Sequence, residues 1–354
     1  MSLKNWFLPV SLLILVPLSI FLYLIDAEPI AVFIVTVLSL VPISKILSRS
    51  SQELSLRTAT VVSSLLNATF GNAVEFMIAI FAIRAGLQEM VMASLAGSII
   101  LNLLLLIGAS MIAGGLKHKD QKFNTSSVGV SSTMLLIAVA GLALPTIYAE
   151  LPQQSTVTEH SVILMSRAVS VTLGVTYLLS LVFVLFTHRH LFVSKRDVSE
   201  QATWSAIKAA LILGLSIGMA AVESNILVSM VEPIIETTHL HQAFVGLIII
   251  AVITNIPEHI AAIQFGVRDN ITLSIEIGMN SAIQIALFVV PILVLISPLF
   301  GATMSLAFPP FQVVAMILSV MIINYIGSDG ICNWLEGVQL VAVYTIIAIA
   351  FYFM

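Results

Sequence analysis

The chain has 354 residues, of which 59% are hydrophobic and 9% charged, with a net charge of −4 and a mean hydropathy of +1.10. Soluble globular domains carry about a quarter charged residues, so a water-soluble enzyme is excluded and an integral membrane protein remains. No basic stripe interleaves with aromatics, which removes nucleic-acid binding. The lone cysteine, Cys332, supports neither an intramolecular disulfide nor a thiolate metal cluster.

A helix needs about 20 apolar residues to cross the hydrocarbon core. On that rule the sequence predicts eleven spans, at 7–25, 29–47, 58–86, 90–113, 128–147, 161–187, 204–231, 243–267, 272–296, 302–325 and 337–353. The first follows Lys4 but is too long for the apolar core of a signal peptide. Tyr23-Leu24-Ile25-Asp26 offers no small-residue cleavage site, so the segment reads as a retained helix.

With the N-terminus cytoplasmic, the inner segments hold Lys4, Lys45, Arg49, Arg57, Lys117, Lys119, Lys122, Arg189, Lys195, Arg196, Lys208 and Arg268. That is twelve of the fourteen cations, with Arg84 and Arg167 outside, and it follows the positive-inside rule. The outer loops carry acids instead: Asp26, Glu28, Glu150, Glu159, Glu232 and Glu236. The polar stretch from His188 to Gln201 reads as a short connector rather than a second domain.

Polar residues inside apolar spans carry the information, because a charge at the bilayer centre costs at least ~2.5–3.5 kcal/mol. The third span contains Asn72 and Glu75, the eighth Asn255 and Glu258, and both pairs share one offset of 183 residues. Gly97-Ser98-Ile99-Ile100-Leu101-Asn102 and Asn280-Ser281-Ala282-Ile283-Gln284-Ile285 keep that offset in the following spans. Each half therefore has five helices, and an odd number reverses the second copy. Inverted repeats with Gly- or Pro-interrupted polar helices mark secondary transporters. The sequence thus predicts an all-α polytopic membrane protein with eleven transmembrane helices, one N-terminal helix followed by two inverted five-helix repeats. The divisions are 1–28, 29–187, 188–203 and 204–354.

Asn72 and Glu75 are three apart, as are Asn255 and Glu258, so each amide shares its carboxylate's helical face. Ser98 with Asn102, and Ser281 with Gln284, give each neighbouring helix a polar face as well. Pro257 cannot donate to the carbonyl of Ile253, and Gly71 weakens the matching turn. Carboxylates, amides and freed carbonyls form an all-oxygen shell suited to a hard cation such as calcium. Two carboxylates with one divalent cation are neutral, and so are two carboxylic acids. A site that crosses only when neutral exchanges a divalent cation for protons. His259 is open to ligand or packing roles, Glu223 reads as a gate or a structural partner rather than a ligand, and Gly214 with Gly218 as a close helix crossing. A hydrolase lacks a nucleophile–base pair or an HExxH helix, and a passive channel needs no pair of neutral states.

Leu66-Asn67-Ala68-Thr69-Phe70-Gly71-Asn72-Ala73-Val74-Glu75 resembles the first signature of the calcium/proton exchangers of the calcium/cation antiporter superfamily. Residues 280–289 with Pro291, then Asp329-Gly330 and Asn333-Trp334-Leu335-Glu336-Gly337, resemble later segments of that family. The resemblance covers the chain from residue 30 onward. It implies eleven helices and proton-driven calcium export, with Glu75 and Glu258 binding calcium and protons in turn. Asn72, Asn255, Ser98, Asn102, Ser281 and Gln284 complete the expected cation site.

The second signature departs from the family's usual Gly-Asn-Ala-Ala-Glu-His. Thr254-Asn255-Ile256-Pro257-Glu258-His259 looks like the sodium/calcium branch, so a sodium-coupled or broader divalent exchanger stays open. Gln284-Ile285, where that branch places an acid, favours protons. No cofactor is expected beyond calcium as cargo, and the partners are calcium, protons and the bilayer, with homo-oligomerisation open. The short tails point to a prokaryotic plasma membrane.

Overall fold

In a computed structural model, residues 12–58, 60–151, 157–188 and 202–353 are described. Residues 7–11 of the first expected span and 189–201 of the connector lie outside them. The described chain is almost wholly helical: α1 (Leu12–Leu24), α2 (Pro29–Ser55), α3 (Thr60–Gly71), α4 (Ala73–Arg84), α5 (Gln88–Gly115), α6 (Thr125–Glu150), α7 (Glu159–Thr187), α8 (Ala206–Thr238), α9 (Gln242–Thr254), α10 (Ile256–Val267), α11 (Ile271–Phe300), α12 (Pro310–Ile326) and α13 (Trp334–Phe353). Among the described residues, α2, α5, α6, α7, α8, α11 and α13 are each long and apolar enough to cross a membrane. Helices α9 and α10 are together long and apolar enough as well, bent by 56° at their break, and count as an eighth span where the pair crosses as one. A count of eleven requires the shorter apolar helices α1 and α12, and the pair α3–α4, to cross as well.

The 183-residue offset is visible in the backbone. Helix α4 matches α10, and the 14-residue stretch Gln88–Leu101 of α5 matches Ile271–Gln284 of α11. Each stretch runs into a five-residue π-helical turn, Asn102–Leu106 in α5 and Ile285–Val289 in α11. The two breaks also coincide. Asn72 (φ −106°, ψ 23°) separates α3 from α4, and Asn255 (φ −98°, ψ 8°) separates α9 from α10. Both lie well off the helical values near −63° and −42°. The breaks fall on the asparagines, one residue after Gly71 and two before Pro257.

Helix α5 is buried along most of its length and forms the centre, whereas α7 is largely exposed on the periphery. On one side of the molecule, β1 (Gln121–Lys122) pairs antiparallel with β2 (Ile331–Cys332). There the Gln121 amide donates to the Gly266 carbonyl and to Asp269, each at 3.0 Å. Thr203, at the end of the connector, donates to Glu53 through its backbone N–H (2.8 Å) and its hydroxyl (2.6 Å). Loops assigned to one face by their charges are thus held together.

Two sequence expectations need correction. The span expected at 302–325 begins at Pro310, because Pro309 and Pro310 disfavour helix before them while suiting a first turn. The preceding segment is buried and irregular, which hydropathy cannot tell from a helix. Its backbone N–H groups find hydroxyl acceptors: Met304 on Ser297 (2.9 Å), Leu306 on Ser166 (3.0 Å) and Phe308 on Thr146 (3.0 Å). Internal satisfaction of this kind is what permits irregular backbone at membrane depth. Gly214 and Gly218 do not mark a close crossing, for a Cβ at either would meet open space.

Candidate ion-binding site

The breaks at Asn72 and Asn255 bring the first turns of α4 and α10, with Glu75 and Glu258, against the middle of α5 and α11. Close approach of the backbones sets the geometry. A methyl group at Gly97 would overlap the carbonyl of Leu247 in α9, and one at Gly278 would overlap that of Asn102.

All eight predicted residues converge there. Asn102 donates from Nδ2 to Asn255 Oδ1 and to Ser281 Oγ, both at 2.9 Å. Asn255 in turn donates to Ser98 Oγ at 3.0 Å and to the Ala251 carbonyl at 2.9 Å, which takes up an acceptor at the helix break. Asn72 donates to Gln284 Oε1 at 2.9 Å. Every one of these side-chain pairs joins the first half of the chain to the second. Glu75 and Glu258 lie within electrostatic reach of each other.

Glu75 Oε2, Glu258 Oε2 and Asn102 Oδ1 are buried and accept no hydrogen bond. Buried acceptors without donors are costly, and the three at one crossing are oxygens of the kind a hard cation takes. Among the described residues no three His, Cys, Asp or Glu cluster as they would for a transition metal.

The two carboxylates have unequal surroundings. Glu258 lines a cavity of about 250 Å³ with Gly71, Asn72, Leu273, Glu276, Ile277, Asn280, Ser281 and Gln284. Glu75 lines one of about 10 Å³ with Ile78, Ser94, Leu95, Ser98, Ile250 and Thr254, room for roughly one water. Each glutamate thus faces the broken helix of the opposite half.

Sequence reasoning passed over Glu276 and Asn280. With Gln284 they stand at i, i+4 and i+8, one stripe of α11. Their counterparts in the first half are Ala93, Gly97 and Leu101, so a search for repeated polar positions misses them. His259 faces its ring Nδ1 toward the Asn255 carbonyl at 2.8 Å, bracing the break. Glu223 is a structural partner: Ser19 of α1 (2.6 Å) and Ser39 of α2 (2.5 Å) donate to its two carboxyl oxygens, tying α8 to both helices.

The sequence profile of the sodium/calcium exchanger protein family matches residues 28–186 and 208–353. The chain belongs to this family. Among its relatives, a Ca(2+)/H(+) antiporter of Synechocystis sp. is 37% identical, covering 97% of this chain and 96% of its own. The Ca(2+)/H(+) antiporter ChaA of Bacillus subtilis is 33% identical over 95% of this chain and 96% of its own. The solved structure of native YfkE superposes with a TM-score of 0.83 at 31% identity, covering 97% of this chain and all of the other. The high superposition shows that the two proteins share this mostly helical fold.

Proposed function

We propose that this exchanger-family chain is a calcium/proton antiporter in which Glu75 and Glu258 bind calcium and protons alternately. The observation that carries the reading is the set of donorless buried oxygens on Glu75, Glu258 and Asn102, gathered where the two halves cross. With calcium bound, the two carboxylates cancel its charge. With calcium gone, two protons do the same, so both loaded forms are neutral and each avoids the cost of a bare charge in the membrane. Asn102, Asn255, Ser98 and Ser281 hold the carbonyl and hydroxyl oxygens around the cation, while Asn72 and Gln284 close the shell on the side of Glu258. Relatives named as Ca(2+)/H(+) antiporters support the exchange of calcium for protons.

Eleven spans, divided at 1–28, 29–187, 188–203 and 204–354, and an N-terminus in the cytoplasm of a prokaryotic cell complete the proposal. Sodium coupling is the weaker reading, because Gln284 and Ile285 put no carboxylate beside the network. Glu276 stands two turns before Gln284, about 12 Å of helix rise. Calcium-45 uptake into proteoliposomes separates the two. An imposed pH gradient is expected to drive uptake, and an equal sodium gradient at fixed pH is not. Uptake driven by sodium alone would replace the proton reading.

A further inference from the structure

The larger cavity has a direction. Its wall on α11 runs from Leu273, near the start of that helix, to Gln284 beside the hydrogen-bond network. Eleven residues of helix rise about 16 Å, roughly half of a ~30 Å hydrocarbon core. The cavity therefore leads from the side of the 268–270 connector to about mid-membrane, and it ends at Glu258. Asn280 is exposed although it sits in mid-helix, as a residue on a water-filled wall would be. At the matched positions of the first half the path is shut: Ala93 and Leu101 are fully buried, and Gly97 lies against the backbone of α9.

We propose that Glu276, half-buried on this wall between the mouth and Glu258, is the cation-capturing carboxylate of that path. It is an entry residue, and it acts on calcium arriving from the side of the 268–270 connector, the cytoplasmic side on the charge reading. The inference rests on the proposed exchange function and goes beyond it by naming where the cation enters. Glu276 lies outside the binding shell because two turns of α11 separate it from Gln284, with Asn280 between them. Its charge raises the local concentration of a divalent cation in a narrow polar cleft. At about 10 Å and an effective dielectric constant between about 40 and 80, one carboxylate enriches a divalent cation by roughly four- to fifteenfold.

Two measurements test this. In vesicles of defined orientation, E276Q is expected to raise the apparent KM for calcium from the cytoplasmic side by about four- to fifteenfold, with kcat kept. The KM from the opposite side stays at the wild-type value, and the gap between variant and wild type narrows as salt is raised. A fall in kcat at unchanged KM, or an equal KM change from both sides, would overturn the assignment.

The second measurement needs no transport. In a C332S background, N280C is expected to react with a membrane-impermeant thiol reagent from the cytoplasmic face and to be protected by calcium, while A93C stays unreactive. E276Q should raise the calcium concentration needed for protection by the same factor. Reaction of N280C from the outer face alone, or protection unchanged by E276Q, would sink the entry path. If wild-type protein instead showed no calcium/proton exchange while calcium still protected N280C, the exchange reading would fail and the entry path would stand.

Discussion

At matched positions on α5 and α11, the two halves of the molecule carry Ala93, Gly97 and Leu101 against Glu276, Asn280 and Gln284. The polar code at the crossing is nearly shared, for Asn72 and Asn255, Glu75 and Glu258, Ser98 and Ser281 all obey one offset. What surrounds that code differs. The first half packs backbone against backbone and leaves Glu75 about 10 Å³, whereas the second keeps a polar cleft of about 250 Å³ at Glu258. Two copies of one polar motif are thus set in flanks that differ, one closely packed and one open to a polar cleft.

The largest effect belongs to what the halves share. E75Q and E258Q are each expected to cut exchange by roughly 100-fold or more, since calcium affinity follows the ligand charge count. Both variants should remain folded, because glutamine keeps the volume. Near-normal calcium/proton exchange by either one would end the symmetry argument.

The flanks should respond in opposite ways. G97V forces a side chain into the Leu247 backbone and is expected to cost about 1–3 kcal/mol in thermal unfolding in detergent. N280A, at the matched position on the open wall, should change stability by roughly 0.5 kcal/mol or less. Equal losses for the two would mean that the asymmetry of packing is not real.

A smaller effect separates the causes of the helix breaks. N255A removes one of the donors to the Ala251 carbonyl together with the bonds to Ser98 and Asn102 and is expected to cost about 1–3 kcal/mol, with calcium transport impaired. P257A should cost less than about 1 kcal/mol. The first-half break forms at Asn72 with Val74 where the second has Pro257, so proline is not what makes the turn. Stability data that ranked P257A above N255A would reverse this. Least of all, G71A meets nothing within 4 Å and is expected to stabilise by about 0.5 kcal/mol through the unfolded chain.

The shared half of this comparison was legible in the sequence and the differing half was not. Glu75 and Glu258 stand out because ionisable residues in apolar spans are rare, and the common offset ties them together. The hydrogen-bond pairing was hidden. Asn255 bonds Ser98, but Asn72 bonds Gln284 and not Ser281, and Asn102, whose offset position is Ile285, links Asn255 to Ser281. Such choices depend on how the neighbouring helices cross, and Asn102 itself opens a π-helical turn. A turn of that kind has no composition signal. Glu276 escaped for a related reason: periodicity within α11 displays it, but comparison between halves removes it.

By itself the sequence determined the membrane class, the two interrupted helices and the candidate polar residues at their crossing, because each follows from a local cost. Apolar runs must leave water, charges within them demand compensation, and asparagine, glycine or proline loosens a helix wherever it falls. It could not decide the end of a helix inside an apolar run, as at Met304 to Pro309, where buried hydroxyls from Ser297, Ser166 and Thr146 replace helical bonds. Nor could it decide which glycines are contacts, since Gly97 touches α9 and Gly214 touches nothing. Tertiary structure settled both, because a backbone group's partner and the space beside a Cβ belong to the neighbouring helix and not to the residue's own segment.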